Sequence, residues 1–293
     1  MSPTAGVPVH ERVSVQGLVC HELRLPDGDR VRVAEHGGHV LSWVSGGHER
    51  LYLSACATFD GHAAIRGGVP VCWPQFSDRG ELTRHGWVRQ SAWQLLRADL
   101  SESGPSLTLG IRPQESFRAP KAGWPHTCRL ELRAALAPGA LDLALTVFNE
   151  GHSPLPFTGA LHTYIALENA EQAVVSGWQA DEDRMGWDSE YNRPCEVLPQ
   201  LGLCGEIDRV LPRAAGALRV EDGTIRLQVE QFGWTDTVVW NPGQEKCTAM
   251  ADMCPGDERR MACVEAAQVF EPVVVAPGST WSGSQRLRVL EST

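Results

Sequence analysis

Residues 128–149 read CRLELRAALAPGALDLALTVFN, and this stretch decides the fold. Before the Pro-Gly pair at 138–139, Leu130 and Leu132 share one face of an extended chain, and after it every second residue from 141 to 147 is leucine or valine. Alternation of apolar residues with a period of two is the pattern of a half-buried β-strand. A Pro-Gly pair between two such runs marks a turn. The stretch therefore predicts a β-hairpin.

The same pattern recurs on both sides of this hairpin. Alternating runs flank Asp27-Gly28 in 21–36 and Asp222-Gly223 in 218–231, and residues 272–290 read as strand, turn and strand. Short strands with turn signals at regular spacing predict a sandwich or a barrel. We expect an all-β protein with few short helices, folded as one domain over 1–293 with its core at about 15–291.

Two segments do not follow the alternating pattern. The stretch CPGDERRMA at 254–262 is the best helical candidate, because Asp257 is a suitable cap for one or two helical turns. The acidic stretch QADEDRMGWDSE at 179–190 predicts a long surface loop.

Composition excludes several classes of protein. The 293 residues are enough to bury a large core, and 42% hydrophobic with 21% charged residues is ordinary for a globular protein. The net charge of −10 argues against nucleic-acid or membrane-surface partners, which attract basic surfaces. No apolar run approaches the length of a membrane span. We expect neither nucleic acid nor membrane as a partner.

The nine cysteines are scattered, and none forms a C-x-x-C pair. A zinc ribbon or a thioredoxin-like motif is therefore unsupported. A reducing compartment is the simplest interpretation. Because the N-terminal residues lack an apolar signal region, we expect a cytoplasmic protein.

Motifs for nucleotide cofactors and for serine hydrolysis are absent from the sequence. It contains no Walker-type loop, no G-x-G-x-x-G, no H-E-x-x-H and no G-x-S-x-G. Chemistry has to come from residues outside these motifs.

Glu265 is the first such candidate. It lies in the apolar stretch MACVEAAQVF at 261–270, where strand alternation gives it the same face as Cys263 and Ala267. Burying a carboxylate there is costly unless something compensates. Glu265 is then either a structural residue, on the solvent face or paired with a buried arginine, or a general base whose pKa is raised by partial burial.

His162 is the second candidate. In FTGALHTYIAL at 157–167, alternation places Thr158, His162 and Tyr164 on one semi-polar face. A lone histidine on such a face is commonly a core residue that hydrogen-bonds to tyrosine or backbone. The alternative is a general acid at the mouth of a cavity, since histidine titrates in the suitable range.

Two arginines are candidates for binding an anion. Arg66 opens IRGGVPVCWPQF at 65–76, where Gly67 and Gly68 allow unusual backbone angles or close approach of a ligand. Arg89 ends HGWVR at 85–89. The arginine fork suits phosphate, although most arginines are simply solvated.

Nearby aromatic residues are candidate walls for a sugar ring, or else core residues of a large β-protein. They are Trp73, Phe76, Trp87 and Trp93.

Taken in order, six motifs resemble the D-hexose-6-phosphate mutarotases, the glucose-6-phosphate 1-epimerase branch of the aldose 1-epimerase superfamily. They run from residue 65 to about 270 and are IRGGVPVCWPQF, HGWVR, FTGALHTYIAL, GEIDRV, VVWNP with EKCTAMADM, and MACVEAAQV. The resemblance implies a galactose-mutarotase-like fold, a large β-supersandwich. It also implies an isomerase that interconverts the α and β anomers of a hexose 6-phosphate.

The resemblance further implies roles for individual residues. His162 matches the general acid of the family and Glu265 its general base, and neither a metal nor a cofactor is expected. Residues expected to bind the substrate are Arg66, His85, Arg89 and Asp208, with Arg84 as a further binding candidate that departs from the glutamine or small residue usual before the HG pair. We expect a monomer whose partner is a small sugar phosphate. Alternatives are an epimerase of unphosphorylated aldoses and a carbohydrate-binding protein without turnover.

Overall fold

The computed structural model describes residues 6–102, 104–120, 123–179 and 185–290. Within these ranges almost all regular structure is β-strand, which confirms the all-β prediction. The strands are β1 Val9–Val15, β2 Leu18–Arg24, β3 Arg30–Ala34, β4 Val40–Ser45, β5 His48–Glu49, β6 Val71–Cys72, β7 Gln94–Asp99, β8 Ser106–Ile111, β9 Cys128–Ala137, β10 Ala140–Asn149, β11 Leu155–Leu161, β12 Tyr164–Ala166, β13 Val174–Ser176, β14 Met185–Asp188, β15 Arg193–Glu196, β16 Gln200–Gly202, β17 Ile207–Pro212, β18 Leu218–Glu221, β19 Arg226–Phe232, β20 Asp236–Asn241, β21 Met261–Val275 and β22 Thr280–Val289.

The described strands form three antiparallel sheets. A five-stranded sheet has the order β1-β2-β3-β4-β5, and a nine-stranded sheet has the order β16-β13-β18-β19-β22-β10-β9-β8-β7. The eight-stranded sheet has the order β15-β14-β17-β20-β21-β11-β6, with β12 also paired to β21. Two large sheets packed face to face form the supersandwich expected from the sequence.

The predicted hairpins are confirmed. Strands β9 and β10 pair in register around the Pro-Gly turn, with Ala137 opposite Ala140 and Leu132 opposite Leu145. The alternating leucines of both strands lie in the main hydrophobic core. Each such side chain contributes about 1.5–3 kcal/mol when fully buried. The turns at Asp27-Gly28 and Asp222-Gly223 likewise join paired strands, β2 with β3 and β18 with β19.

Strand β21 separates the main core from the opposite face of its sheet. Ala262, Val264 and Ala266 pack into the main core. Glu265 and Ala267 alternate with them and point to the other side, where small apolar clusters surround them. The predicted strand face of Glu265 is therefore correct, and that face is buried rather than exposed to solvent.

The helical prediction for residues 254–262 was wrong about the cap, and the α-helix lies in another segment. Residues 254–262 contain a single 3₁₀ turn at Asp257–Arg259, and Asp257 does not cap it. Its carboxylate instead accepts hydrogen bonds from the Cys254 amide at 2.7 Å and from Ser54 Oγ at 3.1 Å. The described α-helix is Gly243–Ala249, which the sequence analysis missed. None of the described helices is both long and apolar enough to cross a membrane.

The acidic segment 179–190 also differs from its prediction. Residues 180–184 lie outside the described residues. The following Met185–Asp188 is strand β14, paired on both sides with β15 and β17. Pairing on both sides offsets the poor strand propensity of a segment that contains glycine and aspartate.

Cys56 and Cys254 form a disulfide across a sequence separation of 198 residues. A wholly reduced set of cysteines, the simplest reading of the sequence, therefore does not hold. The seven other cysteines are free, and five of them are fully buried (Cys20, Cys72, Cys128, Cys247 and Cys263). Scattered positions gave no way to identify this pair, because only the fold brings the two segments together.

Candidate active site

A polar pocket of about 190 Å³ lies on the face of the eight-stranded sheet that points away from the main core, over Glu265 of β21. Larger depressions of about 420 and 780 Å³ elsewhere on the surface contain none of the predicted site residues. All seven predicted site residues line the polar pocket. The complete lining is Arg66, Phe76, Ser77, Arg84, His85, Arg89, His162, Asp208, Val238, Trp240, Met250 and Glu265.

His162 and Glu265 form a close pair at the bottom of the pocket. The distance from His162 Nδ1 to Glu265 Oε1 is 3.4 Å. The two residues are only 8% and 1% exposed. Neither His162 Nδ1 nor Glu265 Oε2 makes a hydrogen bond within the described protein. Buried polar atoms are normally satisfied, so these two atoms are available to a ligand.

Burial and nearby charges raise the pKa of Glu265 and lower the pKa of His162. Burial raises the pKa of Glu265 well above its usual range, and the nearby Asp208 carboxylate raises it further. Burial lowers the pKa of His162 well below its usual range, helped by the charges of Arg89 and Arg66. The uncharged forms, a protonated Glu265 and a neutral His162, are therefore favoured over the charged pair.

A break in the sheet presents His162 to the pocket. The sequence predicted one continuous strand, but β11 ends at Leu161 and β12 begins at Tyr164. In the gap the His162 amide donates to the Pro70 carbonyl at 3.0 Å, and the Val264 amide donates to the Thr163 carbonyl at 3.0 Å. These hydrogen bonds hold His162 beside Glu265, although His162 does not belong to either strand.

Arg66 is followed by two glycines whose backbone conformation and close neighbours leave no room for a side chain. Gly67 has φ +106°, and a Cβ there would lie 2.4 Å from the Tyr52 carbonyl oxygen. Gly68 has φ +61°, and its Cβ would lie 2.2 Å from the Val40 carbonyl oxygen. Both contacts are far inside van der Waals distance, so the glycines noted in the sequence are required by the close approach of neighbouring chain.

The guanidinium of Arg66 is fixed on two sides. Its Nε donates to Asp252 Oδ2 at 3.1 Å, with Nη2 3.0 Å from the same oxygen, and Nη1 donates to the Tyr164 hydroxyl at 2.9 Å. Burial alone would lower the pKa of Arg66, but Tyr164 and Asp252 outweigh it and raise that pKa. These contacts use three of the five N–H groups, and two stay available to a ligand.

Arg89 and Arg84 bring further positive charge to the same pocket. Arg89 Nη2 donates to the Arg84 carbonyl at 3.1 Å, while its buried Nε has no partner in the described protein. Burial lowers the pKa of Arg89 from a very high ordinary value, so it stays charged. Arg84 is exposed at the pocket, and its guanidinium has no hydrogen-bond partner among the described residues.

His85 and Asp208 complete the polar lining. The Ser77 amide donates to His85 Nδ1 at 3.2 Å, which leaves Nε2 as the protonated nitrogen of the neutral ring. Burial lowers the pKa of His85, and Arg89 lowers it further. On β17, Asp208 lies opposite Trp240, and burial raises the pKa of its carboxyl group. Both side chains carry groups that can hydrogen-bond to the hydroxyls of a ligand.

The apolar walls of the pocket differ from the predicted ones. Trp73, Trp87 and Trp93 are buried in the core rather than in the pocket, and of the four predicted aromatic residues only Phe76 lines it. Trp240, which the sequence analysis did not select, supplies the large aromatic wall. Its alternation with Val238 in VVWNP was the available signal, because both lie on the face of β20 that adjoins Glu265.

One group of side chains in the described ranges has metal-ligand geometry. His162, Cys263 and Glu265 place potential ligand atoms within 4.8 Å of one another. The same group lies in the positive field of Arg66 and Arg89, which already lowers the pKa of His162. A field that disfavours a proton on imidazole also disfavours a divalent cation, so the arrangement suits proton transfer better than metal binding.

The pocket thus combines a buried His162–Glu265 pair with three arginines and an aromatic wall. The aldose 1-epimerase family profile matches residues 20–288, so the chain belongs to this family. Proteins provisionally named glucose-6-phosphate 1-epimerase are similar to it. The one from Cenchrus ciliaris is 32% identical over 88% of this chain and 80% of its own length. The one from Escherichia coli K12 is 29% identical over 87% and 85%.

Solved structures agree on the fold. A crystal structure from Salmonella typhimurium, provisionally named a mutarotase, matches with a TM-score of 0.82 and 23% identity over 98% of this chain and 94% of that one. A galactose mutarotase-like protein from Clostridium acetobutylicum matches with a TM-score of 0.74 and 14% identity over 98% and 99%. The galactose-mutarotase-like fold expected from the sequence is confirmed.

Proposed function

We propose that this protein interconverts the α and β anomers of a hexose 6-phosphate, with glucose 6-phosphate as the first substrate to test. The observation that carries the proposal is the buried pair of His162 and Glu265, 3.4 Å apart, beneath a pocket lined by three arginines. The names of the relatives support the choice of sugar.

Anomer exchange needs one group that takes a proton and one that gives a proton. The step begins when the proton of the pair moves from Glu265 to the His162 imidazole; the Glu265 carboxylate then takes the proton of the anomeric hydroxyl while His162 protonates the ring oxygen. The bond between the anomeric carbon and the ring oxygen breaks, and an open aldehyde forms. After rotation, the ring recloses on the other face with the two roles exchanged. Each positioned group contributes roughly 10²–10⁴-fold to such a rate.

The short distance within the pair explains why two groups suffice. Because Nδ1 and Oε1 are 3.4 Å apart, a sugar that presents its ring oxygen and anomeric hydroxyl together can contact both. Each turnover returns one proton to the pair, so no net proton enters or leaves. The reaction transfers no electrons, and its steps use only these two side chains.

The three arginines supply the site for the phosphate. Arg89 has a buried, unpaired Nε, and Arg66 keeps two N–H groups for a ligand. Charge-assisted hydrogen bonds of this kind are about twice as strong as neutral ones. They act at short range, so they outweigh the screened field of a protein with net charge −10.

The direct test compares anomer exchange of glucose 6-phosphate and of free glucose, measured by NMR exchange spectroscopy on the purified protein. We expect Arg89→Ala to lower kcat/KM for glucose 6-phosphate by about 10- to 100-fold, the loss of a hydrogen bond to a charged group, and to change free glucose much less. Arg79→Ala is the matched control, since Arg79 stacks on Phe270 and does not line the pocket.

The same assay separates the remaining alternatives. Equal effects of Arg89→Ala on both sugars would support an epimerase of unphosphorylated aldoses. Binding of glucose 6-phosphate without any acceleration of exchange would support a carbohydrate-binding protein. His162 and Glu265 argue against the second alternative, because a binding protein has no need for a buried pair that shares a proton.

The pKa directions predict an unusual dependence on pH. Because the pKa of His162 lies well below 6.5, the pair gains a second proton only in more acidic solution. Because the pKa of Glu265 lies well above 4.5, the pair loses its proton only at higher pH. We therefore expect kcat to show no titration step at about pH 6.5, where a histidine of ordinary pKa would titrate.

A pH profile of kcat measures this directly. Asp208→Asn should move the alkaline limb to lower pH, because the Asp208 charge helps to raise the pKa of Glu265. A fall in kcat centred near the ordinary histidine pKa would contradict the assignment of the pair.

Three broader expectations stay predictions. These are one domain over residues 1–293, a monomeric protein and a cytoplasmic location. The Cys56–Cys254 disulfide is the observation to reconcile with a reducing compartment. Mass spectrometry of the protein alkylated directly from cells would show whether this pair is oxidised there.

A further inference from the structure

Tyr164 lies between the arginine that faces the ligand and the histidine that exchanges protons. Its hydroxyl accepts a hydrogen bond from Arg66 Nη1 at 2.9 Å. Its ring stacks on the His162 imidazole, with centroids 4.8 Å apart and planes 8° apart. The edge of the Trp240 ring packs against the same tyrosine. One side chain therefore contacts the phosphate-binding and the proton-transferring parts of the pocket.

The backbone of Tyr164 is fixed by the segments that present those residues. Its amide donates to the Gly68 carbonyl at 2.9 Å, and its carbonyl accepts from the Tyr52 amide at 3.0 Å. On β12 it lies opposite Cys263, two residues from Glu265. The ring is 2% exposed, so it has little room to adopt another rotamer.

Tyr164 does not itself line the pocket. Burial raises the pKa of its phenol, so the hydroxyl remains protonated in the range where the protein works. An uncharged, enclosed phenol is a poor base and has no direct contact with a ligand. Any influence on the reaction must pass through Arg66 and His162.

We propose that Tyr164 is a positioning residue: its hydroxyl sets the direction of the Arg66 fork, and its ring sets the plane of the His162 imidazole. Asp252 supports the same arrangement by fixing the opposite side of Arg66. The inference rests on the proposed function, since the two roles are those of substrate binding and of proton transfer.

Two substitutions separate these two effects. Tyr164→Phe keeps the ring and removes the hydroxyl, so KM for glucose 6-phosphate should rise about three- to tenfold while kcat changes less than about twofold. Tyr164→Leu also removes the flat stacking surface, so kcat should fall about tenfold or more in addition. A residue that served only the fold would not divide KM from kcat in this way.

A double-mutant cycle tests the route through Arg66. Arg66→Gln should raise KM, and adding Tyr164→Phe to it should raise KM no further, because the hydroxyl then has no guanidinium to orient. Tyr52→Phe is the matched control: it removes the hydroxyl of another buried tyrosine, which donates to Asp257 and has no hydrogen bond to Arg66 or His162 among the described residues. Its KM and kcat should equal those of the unchanged protein.

The outcomes distinguish this inference from the proposed function. An unchanged KM in Tyr164→Phe, or effects of Tyr164→Phe and Arg66→Gln that multiply, would overturn the positioning role while the activity stood. No acceleration of anomer exchange by the unchanged protein would overturn the proposed function and the positioning role together. A rise in KM alone in Tyr164→Phe, together with a further loss of kcat in Tyr164→Leu, would establish the positioning role.

Discussion

Glu265→Gln is expected to lower kcat for anomer exchange by roughly 10²–10⁴-fold, the contribution of one positioned acid–base group. Glutamine has nearly the same shape as protonated glutamate, so the packing of β21 should not change. The amide can neither take nor release the proton, and the pair no longer works as a relay. We expect KM to change little, since the arginines that bind the phosphate are untouched.

The same substitution should stabilise the fold as pH rises. The folded protein keeps a proton on Glu265 that the unfolded chain releases above its usual pKa of 4.5. For a raised pKa, this contribution is complete below the unfolded value and is lost as pH rises toward the folded value. Glutamine has no such loss, so the free energy of unfolding of the variant should exceed that of the unchanged protein increasingly as pH rises from 4.5 toward the folded pKa of Glu265.

Urea unfolding at several pH values and the exchange assay together measure both effects. Glu271→Gln is the matched control, because it is the same change at an exposed position of the same strand. It should alter neither kcat nor the pH dependence of stability. Wild-type kcat in Glu265→Gln would remove Glu265 from the mechanism.

His162→Ala is expected to lower kcat by a similar factor, roughly 10²–10⁴-fold. Loss of the ring leaves Glu265 without its proton partner and opens a space beside Tyr164. Added imidazole should restore part of the activity, because it can occupy that space and carry the missing proton. No residue elsewhere in the described pocket combines a pKa lowered by burial with a position 3.4 Å from Glu265.

His36→Ala is a suitable comparison for this variant. His36 is buried to a similar degree, hydrogen-bonds the Ala63 carbonyl and does not line the pocket. It should lose stability but keep kcat and show no response to imidazole. Equal losses of kcat in the two variants would mean that His162 acts only through the fold.

The hairpins could be predicted because their information is local. A two-residue turn and a period of two fix both strands of β9 and β10 without reference to the rest of the chain. The helix at 243–249 could not be found in this way, because its seven residues are too short to show a helical period. The carboxylate of Asp257 was predicted as a cap, but it accepts instead from the nearby Cys254 amide and from Ser54, which only the fold brings to it.

The site residues likewise divide into those that could be predicted from the sequence and those that could not. Four of the seven predicted residues (Arg66, Arg89, His162 and Glu265) could be selected from their own segments, His85, Asp208 and Arg84 came from the family resemblance, and the structure brings all seven to one pocket. Trp240, Tyr164 and Asp252 were not selected: the alternation of Trp240 with Val238 was a local signal that was overlooked, whereas the contacts of Tyr164 and Asp252 with Arg66 are made only by the fold. Asp252, for example, meets Arg66 across 186 residues. No local pattern carries that information.

Strand β21 has a consequence for how this protein could change during evolution. Glu265 is the fifth of fifteen continuous strand residues, a strand that pairs with β11, β12 and β20. Its backbone amide should be among the slowest in the molecule to exchange hydrogen with solvent. Arg84 stands instead in a surface turn between Phe76 and His85, where insertions and substitutions are tolerated. Descendants could acquire a new sugar preference by altering that turn alone, while inheriting the proton chemistry unchanged.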